Sequence, residues 1–299
     1  MANVAGALLE IIEEERAAGP LARRRRLFRE TPQRTAVRWV LGTAYACHPK
    51  RIADVPRLLR LMGTDIAQGG TRVPRVAGIA SQPDGFAGVC RDISAERILA
   101  AACKGFYPWS HIGPLKWWNP SQRMVLFLPE HHIAKRLRPI MRKTPWRVTF
   151  DTAFEQVIKA CSEPRSNRSH ALTWITPQIM RLYTQLHDQG HAHSVEVWDE
   201  HGHLVGGSYG LAVGRVFITE SLFFRVPNAS KIGLHVLNHH LAKWGFAVND
   251  NKAWSDAMAA MGYRLIPRDE YLRVLGEATT SETRRGKWRV EDSPAVVAG

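Results

Sequence analysis

The stretch from Thr173 to Lys231 constrains the fold of this chain more than any other. Thr176 is a candidate N-cap, Pro177 takes the first helical position and Gly190 can close the helix. Between them Ile179, Leu182, Tyr183 and Leu186 recur at the spacing of one buried helical face. Three strand-like runs follow, Ser194–Trp198, Leu204–Val213 and Val216–Phe224. Asp199-Glu200-His201-Gly202 and Gly214-Arg215 supply turns, so an antiparallel meander is expected. At Asn228-Ala229-Ser230-Lys231 a new helix opens, with Ile232, Val236, Leu237 and Leu241 inward.

Downstream, the sequence predicts a strand over Phe246–Asn249, a helix from about Trp254 to Met261 and a strand over Arg264–Ile266. Upstream, Ser94 caps a predicted helix to Lys104, Met124–Leu128 and Trp146–Phe150 read as strands, and Thr152–Cys161 reads as a helix. A basic helix is expected after Glu130, with Lys135, Arg138 and Arg142 at i, i+3 and i+7 on one face. That face suits either solvent or an RNA acceptor stem. The polar stretch 162–170 reads as a loop, and residues from about 274 to 299 read as a disordered tail.

Charge narrows the partners. The 299 residues carry a net charge of +14, with a pI near 10.1, which favours a polyanion without separating tRNA from DNA or an anionic membrane. Half of that charge lies in residues 1–80, where fourteen Lys/Arg face seven Asp/Glu. Ala7–Arg16 suits an amphipathic helix, Arg23–Arg26 is the densest positive run, and Leu58, Leu59 and Leu61 suggest another helix. This segment reads either as a solvated, loosely docked arm or as an arm for an RNA backbone. Phe28, Trp39 and Tyr45 are too few and too spread for a base-stacking platform.

Other classes are disfavoured. No apolar run reaches the roughly 18–20 residues of a membrane span, and the N-terminus lacks the pattern of a secretory signal. Cys47, Cys90, Cys103 and Cys161 are scattered, as expected in a reducing cytoplasm. The close pairs His131/His132, His191/His193, His201/His203 and His239/His240 lack zinc-site spacing, so no metal is expected.

An ordered set of motifs carries a resemblance over roughly residues 80 to 273. These are Phe106-Tyr107-Pro108-Trp109, Trp117-Trp118, Thr173-Trp174-Ile175-Thr176, the run His191–Trp198, Gly206-Gly207, Glu220-Ser221 and Asn228-Ala229-Ser230-Lys231. Together they resemble the bacterial leucyl/phenylalanyl-tRNA–protein transferases. The resemblance implies an α+β chain with four parts. They are a basic extension (1–80), a smaller α/β N-terminal domain (81–150), an acetyltransferase-like (GNAT-like) catalytic domain (151–273) and the tail (274–299). It implies transfer of Leu or Phe from aminoacyl-tRNA to the N-terminal Arg or Lys of acceptor proteins, marking them for degradation.

The chemistry is aminolysis of an ester, which needs a neutral amine and a stabilised oxyanion. The resemblance places Glu220 at the acceptor, where a carboxylate suits a cationic first side chain. It places Asp250 in an Asp-x-Gln pattern, which here reads Asp250-Asn251-Lys252; Lys252 either pairs with Asp250 or donates to the oxyanion. Asp250 is expected in a loop after its strand. Trp109 and Trp174 belong to the aromatic side of the substrate site, although core packing also suits these tryptophans. Ser208 stands where family members commonly carry Met, and with Leu222 and Phe224 it is expected to line the amino-acid pocket. The turn before Ser230 and Lys231 has no glycine, so a coenzyme A cradle is not expected and no cofactor is implied. Asn228, Ser230 and Lys231 are instead candidates for a tRNA phosphate at a helix N-terminus, Asn228 also being a plain helix cap. Two rivals stay open: a related enzyme with another amine acceptor, and a non-catalytic tRNA-binding module.

Overall fold

The computed structural model describes residues 19–163 and 172–299. The helix expected at Ala7–Arg16 and most of the loop expected at 162–170 lie outside them. The extension forms helices α1 (Pro20–Leu27), α2 (Pro32–Ala46), α3 (Pro49–Ile52) and α4 (Val55–Ala67). There follow β1 (Phe86–Val89), α5 (Ala95–Ala102), β2 (Tyr107–Trp109), β3 (Lys116–Trp118), β4 (Gln122–Phe127), α6 (Arg138–Lys143), β5 (Arg147–Phe150) and α7 (Phe154–Ser162). The organising stretch gives α8 (Pro177–Asp188), β6 (Ala192–Trp198), β7 (Leu204–Val213), β8 (Val216–Phe224) and α9 (Ala229–Lys243). The chain closes with β9 (Val248–Lys252), α10 (Asp256–Ala259), β10 (Arg264–Pro267), α11 (Arg268–Thr279) and α12 (Pro294–Val297).

Two sheets result, so the chain is mixed α+β. The smaller has the order β1-β3-β2 and the larger β10-β4-β9-β8-β7-β6-β5. In the larger sheet the meander β6-β7-β8 pairs antiparallel as expected, while β8 and β9 run parallel. Side chains alternate across it. Ile218 and Tyr209 join the core under α7 and α8, and Phe217 and Ala212 join the core under α9. Gly206 is required by packing, since a Cβ there would meet the Ala229 Cβ at 2.7 Å and the Ser230 nitrogen at 3.0 Å. A bare backbone lets the start of α9 lie on the strand.

Several expectations are corrected. The boundary expected at 150 runs through a sheet, because β4 and β5 hydrogen-bond into the larger one. The reason is that β4 is an apolar strand needing partners on both sides. The tail is laid down rather than disordered: α11 continues to Thr279, and Trp288 and Val297 are buried. The Trp288 ring stacks on His193 at 3.6 Å, and its backbone N–H donates to Asp151. Lys135 precedes α6, so the expected three-residue face is not one helical face; all three basic side chains are exposed. Asn228 adopts φ +69° and makes no side-chain cap.

The extension is docked, not loose. Arg24 binds Glu155 of α7 and Asp188 of α8, and Phe28 is fully buried. Two members of the arginine run, Arg23 and Arg24, thus serve internal ion pairs. Ser94 and Thr176 cap their helices as expected.

Candidate active site

The parallel ladder of β8 and β9 ends at Ile218 opposite Asp250. Beyond it Thr219, Glu220, Asn251 and Lys252 line the mouth of an open cavity of about 900 Å³. Two bulges shape that mouth. Tyr209 pairs with Ser221 and Gly210 with Thr219, which leaves Glu220 as the extra residue of β8. Met124 pairs with Lys252 and Val125 with Asp250, which leaves Asn251 extra on β9. A bulge bends the strand and re-aims its side chains. Here Glu220 and Lys252 converge, with Nζ to Oε2 at 2.7 Å and Nζ to the Thr219 carbonyl at 2.9 Å. Their side chains are only 2% and 9% exposed.

Lys252 therefore pairs with Glu220 and not with the Asp250 carboxylate. Its backbone has φ +66°, a left-handed conformation costly for a residue with a Cβ. The Asp250 Oδ1 holds that turn by accepting the Lys252 backbone N–H at 2.7 Å. Asp250 stands inside β9 rather than in a loop, because β4 pairs on its other side. It is fully buried and is gripped by Arg123 (Nη2 to Oδ2, 2.6 Å) and by the Tyr271 hydroxyl at 2.8 Å. Burial pushes the Asp250 carboxyl up. The Arg123 guanidinium, aided by Lys252, outweighs burial and holds it below the usual carboxylate range. The spare Arg123 N–H donates to the Gly105 carbonyl, so the buried charges are satisfied. Burial pushes the neighbouring Tyr107 hydroxyl up to about 12.

Of the expected residues, the cavity brings together Glu220, Lys252, Trp109, Trp174, Leu222 and Phe224. Asp250 lies behind this wall. Ser208 is buried in β7 between Val195 and Leu222, and neither it nor Asn228, Ser230 or Lys231 is among the described residues lining the cavity. Arg123 and Tyr271 were missed by sequence reasoning; a lone Arg in an apolar strand was the one visible signal. Among the described residues no group of three His, Cys, Asp or Glu is placed to hold a metal, and no helix is long and apolar enough to cross a membrane.

The sequence pattern described as "Leucyl/phenylalanyl-tRNA protein transferase" matches residues 125–276, and that of the N-terminal domain of the same transferase matches residues 91–121. Proteins named leucyl/phenylalanyl-tRNA–protein transferase align well with the chain. The one from Pseudomonas syringae pv. tomato is 46% identical over 195 residues, covering 65% of this chain and 84% of that protein. The Cellvibrio japonicus protein is 42% identical, covering 68% and 85%. The Nitrosomonas eutropha protein is 38% identical, covering 74% and 94%. Among solved structures, L-PGS from Bacillus licheniformis matches with a TM-score of 0.30 at 13% identity, over 61% of this chain and 60% of that one, too little to bear on the fold. By its sequence pattern and its relatives, the chain belongs to the leucyl/phenylalanyl-tRNA–protein transferase family.

Proposed function

We propose that this protein transfers Leu or Phe from aminoacyl-tRNA to the N-terminal amine of an acceptor protein, in the cavity at the ends of β8 and β9. The observation that carries the reading is the company Glu220 and Lys252 keep: an ion pair lining one cavity whose walls also hold Trp109, Trp174, Leu222 and Phe224. Aromatic faces suit the terminal adenine, and the apolar pair suits a Leu or Phe side chain. The neutral acceptor amine attacks the ester carbonyl carbon. The C–N bond forms, the C–O bond to the ribose breaks, and the proton lost by the amine ends on the departing ribose hydroxyl. Glu220 accepts an N–H of the acceptor. Two of the three Lys252 N–H groups serve Glu220 and Thr219, and the third is available to the developing oxyanion. Asp250 is a positioning residue that fixes the Lys252 turn.

The open parallel pair β8/β9 in an otherwise antiparallel sheet, entered through a meander and a helix, supports a GNAT-like architecture for the catalytic part. Cys47, Cys90 and Cys103 carry free thiols, which supports a cytoplasmic setting, where charged tRNA is found. Selection of an N-terminal Arg or Lys requires the acceptor's cation to share or displace Lys252 at Glu220. That pairing also favours a second reading, the same transfer to an amine with an uncharged neighbour. Incubation with Leu- or Phe-charged tRNA and a panel of peptides differing in the first residue tests both. Glu220→Gln is expected to lower kcat/KM for Arg- and Lys-peptides at least tenfold while leaving charged-tRNA binding intact. Equal rates in variant and parent would remove Glu220 from the site.

A further inference from the structure

The cavity has a second wall that lies outside both family matches. Helices α2 to α4 of the extension contribute Tyr45, Arg51 and Leu58 to its lining, and the turn before α4 contributes Asp54. The docking is close: a Cβ on Gly42 would run into the Ile112 side chain, so α2 lies directly on the 110–114 loop. Tyr45 stands edge-on to His111 with ring centroids at 4.8 Å and to Trp109 at 6.3 Å; Trp109 in turn meets Trp118 at 6.1 Å. The Arg51 guanidinium covers the Tyr45 ring at 3.9 Å. Tyr45 is half-buried and Arg51 exposed at the rim. Between residues 19 and 80 thirteen Lys/Arg stand against three Asp/Glu.

We infer that this wall is a binding subsite for the single-stranded 3′ end of the tRNA, with Tyr45 stacking a base and Arg51 meeting a phosphate. The inference rests on the aminoacyl-tRNA reading of the cavity. The pairing of an exposed guanidinium with aromatic faces decides the occupant: single-stranded nucleic acid is held by bases stacking on rings beside cations that meet its phosphates. It also gives the extension the base-stacking role for which its own aromatics looked too few and too spread, because Tyr45 finds its aromatic partners in the 106–118 region of the fold.

The test uses the full chain and two RNA hairpins mimicking the acceptor arm, one with the single-stranded 3′ end and one blunt. Tyr45→Ala is expected to weaken binding of the first roughly tenfold, the loss of about one stacked base. Binding of the blunt hairpin should not change. Tyr45→Phe keeps the ring and should bind as the parent does. Arg51→Gln is expected to flatten the salt dependence by about 0.7 in log–log slope, one phosphate on a single strand. In transfer assays Tyr45→Ala should raise the KM for charged tRNA and leave that for the acceptor peptide. Unchanged affinity, an equal loss on the blunt hairpin, or a change confined to the peptide KM would each overturn the inference. Absence of transfer to any peptide would instead sink the proposed function, and the hairpin comparison would still decide this one.

Discussion

Lys252 stands where the resemblance implies a Gln. A Gln there would leave the Glu220 carboxylate open to an incoming cation; Lys252 fills that place from within the chain at 2.7 Å. Lys252→Gln is therefore expected to increase the preference for Arg- over Gln-initiated peptides several-fold, through a lower KM for the basic acceptor. Like charges within about 4–6 Å oppose each other, and the substitution removes one. Paired initial-rate measurements on the two peptides check this; an unchanged ratio would place Lys252 away from the acceptor. Glu220 and Lys252 were visible as candidates because ordered motifs frame them. Arg123 and Tyr271 were not, since what they do depends on Asp250, 127 and 21 residues away in sequence. The Lys252 partner was misassigned because proximity in sequence favoured Asp250, whereas two bulges turn the side chain to β8.

Among the elements, the meander and its flanking helices were readable from periodicity, caps and turns. The C-terminal segment was not. Its polar composition conceals Trp288 and Val297, two apolar anchors too sparse to register as a pattern. The fold finds them a place because β6 presents the His193 ring and the C-cap of α9 presents Trp244, whose ring lies 5.1 Å from that of Trp288. Trp288→Ala is expected to cost about 3–5 kcal/mol, as for other buried tryptophans. In a chain of this size that lowers Tm by roughly 10 °C. Thermal unfolding monitored by circular dichroism checks it, and truncation after Ser281 should act in the same direction. An unshifted Tm in both would return the segment to the status of a loose tail.

For the molecule as a whole, net charge predicted a polyanionic partner, and the family supplies tRNA. Binding of full-length tRNA should fall steeply with salt, by about 0.9 in log–log slope for each duplex phosphate neutralised. Binding at two salt concentrations measures that slope; a flat response would assign the basic surface to something other than RNA. The sheet order β10-β4-β9 carries a separate consequence, for the timing of the protein's birth. β4 leaves the ribosome early, yet both of its neighbours are encoded more than 120 residues later. At about 5–20 residues per second, that strand waits on the order of ten seconds with two unpaired edges. The Arg123–Asp250 lock that holds the active turn closes only once the chain has been translated through β9. A nascent chain therefore lacks this lock until β9 has been made, and the wait before then is when a chaperone has the most to protect.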